Sequence, residues 1–224
     1  MRILIVSVVV VLLDQVSKVL VKGFTIPVIN FHYEGMYHGQ KIPIIGDFFR
    51  LTFIENPGMA FGFDPGSAAK LWISVFSLFA SAGLLIYLYL IRNQNLSLRL
   101  AIAFILGGAV GNLIDRLFYG VIYGYGPFFY GKVVDFLDFD FFDVTILGRH
   151  YDRWPIFNFA DAAVSIGVLI LILFYKKSKE ETDSNISEVE ANAPGNTNND
   201  ESEKTITRED HPDGETYKGK EIPD

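Results

Sequence analysis

The chain has 224 residues, is 50% hydrophobic and contains no cysteine, which excludes disulfides, thiolate nucleophiles and Cys-ligated zinc together. Its net charge of −7 belongs to the tail: residues 176–224 carry 7 Lys+Arg against 14 Asp+Glu, while residues 1–175 carry 12 of each. The apolar part has no basic surplus, so nucleic acid is not an expected partner.

Residues 3–22 form the first apolar run, interrupted by Asp14, Ser17 and Lys18. No small-x-small cleavage site follows Leu13, so the run reads as a retained membrane helix of about 20 residues, ~30 Å long, rather than a signal peptide. Asp14 and Lys18 are four apart, share a helix face and can pair. Two readings stay open: an ion pair that lets two charges enter the membrane, or direct contact with a substrate. Residues 23–69 read as a non-spanning loop rich in Pro and Gly. In it Phe49, Leu51 and Phe53 alternate with Arg50 and Thr52, predicting a short half-exposed strand. The strand runs into the polar turn Glu55-Asn56-Pro57-Gly58, which composition alone reads as an ordinary hairpin loop.

Residues 70–91 form the second expected crossing, with Trp72 near one end and Tyr87 and Tyr89 near the other, as interfacial aromatics tend to lie. After a short polar link bounded by Arg92 and Arg99, residues 100–119 form the third. Its small residues Gly107, Gly108, Ala109 and Gly111 permit close helix packing. Asn112, Asp115 and Arg116 follow at spacings of three and four on one face. Residues 120–155 form a second loop, aromatic and acidic. Asp138, Asp140, Asp143 and Asp152 are expected as solvated surface charges. Asp135 differs: Val133, Val134, Phe136 and Leu137 flank it, which predicts a dry setting. The fourth crossing, residues 156–175, opens on Phe157-Asn158-Phe159-Ala160-Asp161. A carboxylate in a membrane helix costs about 2.5–3.5 kcal/mol on insertion scales, which marks Asp161 as a functional candidate with Asp135 as its partner. The tail has almost no aromatic residues, lacks the means to bury a core and is expected to be disordered.

Arg2, Arg92, Arg99, Lys176, Lys177 and Lys179 flank the apolar runs on one side, so the positive-inside rule puts both termini and the 92–99 link in the cytoplasm. Asn56, Asp135 and the start of the last helix then gather at the outer face. No histidine lies in a crossing and no HExxH motif occurs, so neither metal nor cofactor is expected. Two neighbouring aspartates do not both ionise cheaply; they share a proton and titrate as a pair. The ionised member takes a proton from a water that attacks a peptide carbonyl. The protonated one hydrogen-bonds the carbonyl oxygen and later helps protonate the leaving amine.

Five pieces occur in order: Asp14-Gln15-x-Ser17-Lys18, Asn56-Pro57-Gly58-x-Ala60-Phe61-Gly62, Gly111-Asn112-x-x-Asp115-Arg116, Val133-Val134-Asp135-Phe136 and Phe157-Asn158-x-Ala160-Asp161. In these the chain resembles the lipoprotein signal peptidases (signal peptidase II), small four-helix aspartyl endopeptidases of the bacterial inner membrane. The resemblance covers roughly residues 1–175. It implies an all-α integral membrane protein with four crossings and a small extracytoplasmic β-structured region. It implies Asp135 and Asp161 as the catalytic pair, with Asp14, Lys18, Asn56, Gly58, Asn112, Asp115, Arg116, Asn158 and Ala160 shaping the site or holding substrate. The implied partners are membrane lipid and lipidated prolipoproteins, whose signal peptide is removed just before the lipidated cysteine by a monomeric enzyme. The spacer from Arg116 to Asp135 is longer than the family usually has, and the acidic tail is extra. A prepilin-type peptidase would carry Gly-x-Gly-Asp, absent here; a proton-coupled transporter would be expected to show internal repeats.

Overall fold

The computed structural model describes residues 2–58, 66–141, 144–146 and 148–174. The acidic tail, Asp143 and the Ala60-Phe61-Gly62 end of the second motif lie outside the described residues. Four helices coincide with the four apolar runs: α1 (Leu4–Lys22), α2 (Gly66–Leu90), α3 (Leu96–Ile122) and α4 (Phe159–Phe174). Three of them are long and apolar enough to cross a membrane, while α4 as described is shorter. α3 is the central helix and packs against both α1 and α2. Leu88, Ile91, Ile102, Ala103 and Leu106 close a core at one end of the helices together with Ile3. The outward faces carry exposed Ile5, Val9, Leu12, Leu13 and Val16 on α1, Phe76 and Phe79 on α2, and Leu169 and Leu173 on α4. An apolar surface this continuous suits a lipid surrounding rather than water.

The all-α expectation is corrected by the amount of β structure. A hairpin joins β1 (Phe24–Ile26) to β2 (Phe31–Tyr33). A three-stranded antiparallel sheet has the order β3 (Lys41–Ile45), β4 (Phe49–Asn56), β5 (Val133–Phe139), and β6 (Val144–Ile146) pairs with β7 (Arg149–Tyr151). The predicted strand at 49–53 is the start of β4. β5 was not legible as a strand because its residues from Val133 to Asp138 are all buried. With both faces covered, the inside–outside alternation that announces a half-exposed strand is lost. Val134, Phe136 and Leu137 of β5 form a second core with Phe53 of β4, Val21 at the end of α1 and Tyr119 of α3. The sheet is thereby fixed to the ends of two helices.

A second correction concerns the acids of the 120–155 loop. Asp138 is 2% exposed rather than solvated. Arg153 Nε donates to its Oδ1 at 2.6 Å and Thr52 Oγ1 to its Oδ2 at 2.5 Å, with Arg50 Nε at 3.4 Å. Burial alone would raise this carboxyl, but Thr52, Arg153 and Arg50 outweigh it and hold it below the usual carboxylate range. Arg153 also reaches Asp140 Oδ2 at 2.9 Å and the Asp47 carbonyl at 2.7 Å. This one side chain therefore clamps the return segment before α4 onto the sheet.

Candidate active site

The site begins with how α4 starts. Asn158 stands just before its first residue, and its Oδ1 accepts the Asp161 N–H at 3.0 Å. In return Asp161 Oδ2 accepts the Asn158 N–H at 3.2 Å. This is a reciprocal capping box, with the acid at the third helical position. It satisfies donors that a helix start otherwise leaves orphaned and puts a carboxylate at the positive end of the helix dipole. The next orphan, the Ala160 N–H, is accepted by Asp14 Oδ1 of α1 at 2.9 Å. The motif Asn158-x-Ala160-Asp161 is thus a helix cap that aims Asp161. Ala160, 0% exposed, is small because α3 lies against it: a Cβ on Gly111 would sit 3.2 Å from the Ala160 Cβ and 2.6 Å from Asp14 Oδ2.

β5 brings Asp135 to this cap. The residue before Asn158, Phe157, bridges to Leu137, with Leu137 N–H to Phe157 O at 2.8 Å and Phe157 N–H to Leu137 O at 3.1 Å. That pairing carries Asn158 alongside β5, where its Nδ2 donates to Asp135 Oδ1 at 2.6 Å. On the other side Asp135 pairs with Ile54 in the ladder, and Asn56 Nδ2 donates to Asp135 Oδ2 at 3.2 Å. Asn56 cannot turn its amide the other way without loss, because its Oδ1 accepts the Gly58 N–H at 3.0 Å. Gly58 makes that turn at φ +99, a conformation a Cβ would strain. The Asn-Pro-Gly stretch, which composition reads as a plain hairpin loop, is therefore an orienting device for an amide donor.

Behind the pair lies a buried charge cluster. Lys18 and Asp14 are both 0% exposed. Lys18 Nζ contacts Asp14 Oδ2 and Asp115 Oδ2 at 2.8 Å each and Asn112 Oδ1 at 2.9 Å. All three ammonium donors are used. Because Asn112 Oδ1 is held by Lys18, its Nδ2 is left to donate to Asp161 Oδ1 at 2.8 Å. Asp115 Oδ2 also accepts the Val134 N–H at 3.2 Å, tying α3 to β5 next to Asp135. The ion pair of Asp14 with Lys18 is present. It lies beneath the exposed surface and orients Asn112, Ala160 and β5.

Asp135, 2% exposed, is pushed up to about 7 by burial first and by the neighbouring Asp161 carboxylate second, against the hydrogen bonds of Asn56 and Asn158. Its donors are neutral amides, which orient a carboxylate without fixing its charge as an ion pair would. Arg116 lies within electrostatic reach of Asp161 and Asp135, and its Nη1 donates to the Asn112 carbonyl at 3.3 Å. Asn56, Asn112 and Asn158 thus donate to the two carboxylates, while Asp14, Lys18 and Asp115 brace them from behind.

Two contributors were not singled out from sequence. Gln15 Nε2 bridges Asp14 Oδ2 at 3.1 Å, Asp115 Oδ1 at 2.8 Å and the Gly111 carbonyl at 3.0 Å, while Tyr119 donates to its Oε1 at 3.2 Å. The signal available for it was its place in the motif Asp14-Gln15-x-Ser17-Lys18, to which no role was attached. The second is the wide π turn Asp115–Tyr119 within α3. The loop after α3 folds back on it, with Gly131 N–H to the Arg116 carbonyl at 2.9 Å and Phe129 N–H to that of Leu117 at 3.3 Å. A Cβ on Gly131 would lie 1.9 Å from the Asp115 carbonyl, so only glycine closes the loop there. π turns often occur at functional sites, and no residue pattern announced this one.

Chemically, two carboxylates at one site, one of them raised toward neutrality, supply a base and an acid within one pair. The family model described as Signal peptidase (SPase) II matches residues 6–176. A lipoprotein signal peptidase of Pelodictyon phaeoclathratiforme is 38% identical over 170 residues, spanning 75% of this chain and 86% of that protein. One of Desulfitobacterium hafniense is 38% identical over 172 residues, 75% of this chain and 89% of that protein. Two solved bacterial membrane enzymes share the fold. One has a TM-score of 0.56 at 29% identity over 80% of this chain and 90% of its own. The other has 0.52 at 30% identity, over 78% and 92%. The chain is a membrane protein and an aspartic peptidase, and it belongs to the signal peptidase II family.

Proposed function

We propose that the protein removes the signal peptide from diacylglyceryl-modified prolipoproteins, cutting just before the lipidated cysteine, with Asp135 and Asp161 as the catalytic pair. One observation carries this reading: the capping amide of Asn158 joins the two carboxylates, its side chain donating to Asp135 and its backbone N–H to Asp161. In the resting state the pair shares one proton, held on Asp135, whose burial favours the neutral form. Ionised Asp161 then takes a proton from the water that attacks the scissile carbonyl. Protonated Asp135 hydrogen-bonds the carbonyl oxygen, stabilising the charge that develops there. On collapse of the tetrahedral intermediate a proton passes from the pair to the leaving amine. Asn56, Asn112 and Asn158 keep the carboxylates aimed throughout, and Arg116 offsets part of their negative charge.

The same reading has four crossings, both termini and the 92–99 link in the cytoplasm, and the carboxylates near the outer face of the bacterial inner membrane. It has the acidic tail 176–224 outside the enzyme proper and a monomer as the working unit. Substrate lipid anchors the scissile bond at that depth, with ~0.8 kcal/mol available per buried methylene. The test is to incubate purified protein in lipid with a lipidated and an unlipidated precursor. Cleavage of the lipidated form alone is expected. Equal cleavage of both would favour a general signal peptidase, and cleavage of neither would end the proposal.

A further inference from the structure

Away from the carboxylates, the end of α1, the end of β4 and the loop that follows α3 enclose a cleft of about 470 Å³. Its floor is an ion-pair cluster the peptidase reaction does not use. Glu55 accepts from Lys22 Nζ through Oε1 and from Lys132 Nζ through Oε2, the latter at 3.1 Å. Two ammonium groups share one carboxylate, which leaves the cleft with one positive charge in excess. Burial would raise Glu55, but the two lysines overcome it and keep its carboxyl below the ordinary range, so the carboxylate stays ionised at neutral pH.

The hydrogen-bond inventory of the cleft is weighted toward donors. Lys22 is caged: its Nζ lies 4.3 Å from the Tyr123 ring centroid and 5.1 Å from that of Tyr125. Lys132, with 40% of its side chain exposed, gives one of three donors to Glu55. The Tyr125 hydroxyl accepts the Lys132 backbone N–H at 3.0 Å, so its O–H proton is available to donate. A cleft with a surplus charge and surplus donors recognises an anion rich in acceptors. Lys22 is the last residue of α1, which puts the cleft where the apolar helix ends and headgroups begin. Tyrosines at that level are the residues that sit among headgroups. Lys132, Tyr123 and Tyr125 all come from the segment between Arg116 and Asp135.

We propose that this cleft binds the phosphate of an anionic phospholipid headgroup in the membrane leaflet at that face, through Lys132 and the Tyr125 hydroxyl. The inference rests on the reading that puts the C-terminal end of α1 at a membrane surface. It is tested by native mass spectrometry of the full chain released from micelles holding equal phosphatidylglycerol and phosphatidylcholine. The wild type should retain phosphatidylglycerol in preference. Lys132→Gln should cut that preference about fivefold, the effect of one lysine near a headgroup. Tyr125→Phe, which changes no charge, should also lower it, and Arg92→Gln, just past the C-terminal end of α2 and not part of the cleft, should not. No preference in the wild type, or an equal loss in the Lys132 and Arg92 variants, would overturn the proposal. Inorganic phosphate at matched concentration should leave the lipid bound; displacement would make free phosphate the ligand and overturn the lipid source. Cleavage assayed on the same preparation separates the two readings. Cleavage without headgroup preference sinks only this inference, and preference without cleavage sinks only the proposed function.

Discussion

Replacing Asp135 by Asn tests the shared-proton pair through stability as well as rate. Asp135 stands at about 7 in the folded protein, against about 3.9 for an unperturbed aspartate. An acid raised on folding binds its proton more tightly when folded. Its contribution is therefore most favourable below about pH 4 and is lost as pH climbs to about 7. From about pH 5 the unfolded chain has released the proton, and the folded chain keeps most of it until the pH nears 7. Over those two pH units stability falls by about 2 kcal/mol, the slope of ~1.4 kcal/mol per unit flattening as the folded group begins to release its proton near pH 7. Asparagine does not titrate, so the Asp135→Asn protein should lack this decline. The comparison is internal to each protein, so it cancels the cost of an Asn amide facing the donors of Asn56 and Asn158. Thermal melts in detergent at pH 5 and pH 8 read the two slopes. Turnover of a lipidated precursor should fall by at least the 10²–10⁴-fold typical of a lost acid–base group. In the wild type the rate should decline on the alkaline side of about pH 7, where the shared proton is lost. Parallel pH slopes in wild type and variant would show that Asp135 does not titrate in this window. Near-normal turnover in the variant would remove it from the catalytic pair.

Asp161→Asn should abolish turnover as fully, and the double variant should be little worse than either single one in single-turnover assays, since one proton serves both acids. It should also move the alkaline stability decline to lower pH, because the charge that helps raise Asp135 is gone. Lys18→Met should destabilise the protein by about 3–5 kcal/mol, measured by denaturant or thermal melts, because Asp14 and Asp115 would be left buried without their shared cation. Asp138→Asn should lower melting temperature and activity together by loosening the Arg153 clamp. Asp140→Asn, whose side chain is 40% exposed, should leave both nearly unchanged; equal effects would discount the clamp.

The sequence by itself determined the helices and singled out Asp135 and Asp161 as the candidate pair. Four apolar runs long enough to be helices stand out because a lipid-facing helix must be apolar over its whole length. Asp161 stands out because a charge in such a run is costly, and the four-residue spacing of Asp14 and Lys18 is enough to predict the ion pair seen. The second aspartate was singled out by its apolar flanks, which survive as burial on β5. What only the tertiary structure decided is which residues orient the acids and which brace them. Nothing local distinguishes Asn56, held by Gly58 and turned to Asp135, from any turn asparagine. Nor does the chain show that Lys18 spends its third donor on Asn112, 94 residues away, and so aims that amide at Asp161. Asp138 and Asp135, three residues apart on one buried strand, look alike to composition. They part because Arg153 and Thr52 happen to meet one, while neutral amides and another carboxylate meet the other. Charge state and direction in a buried polar network depend on which partners the fold brings within about 3 Å, and those partners come from segments far apart in the chain.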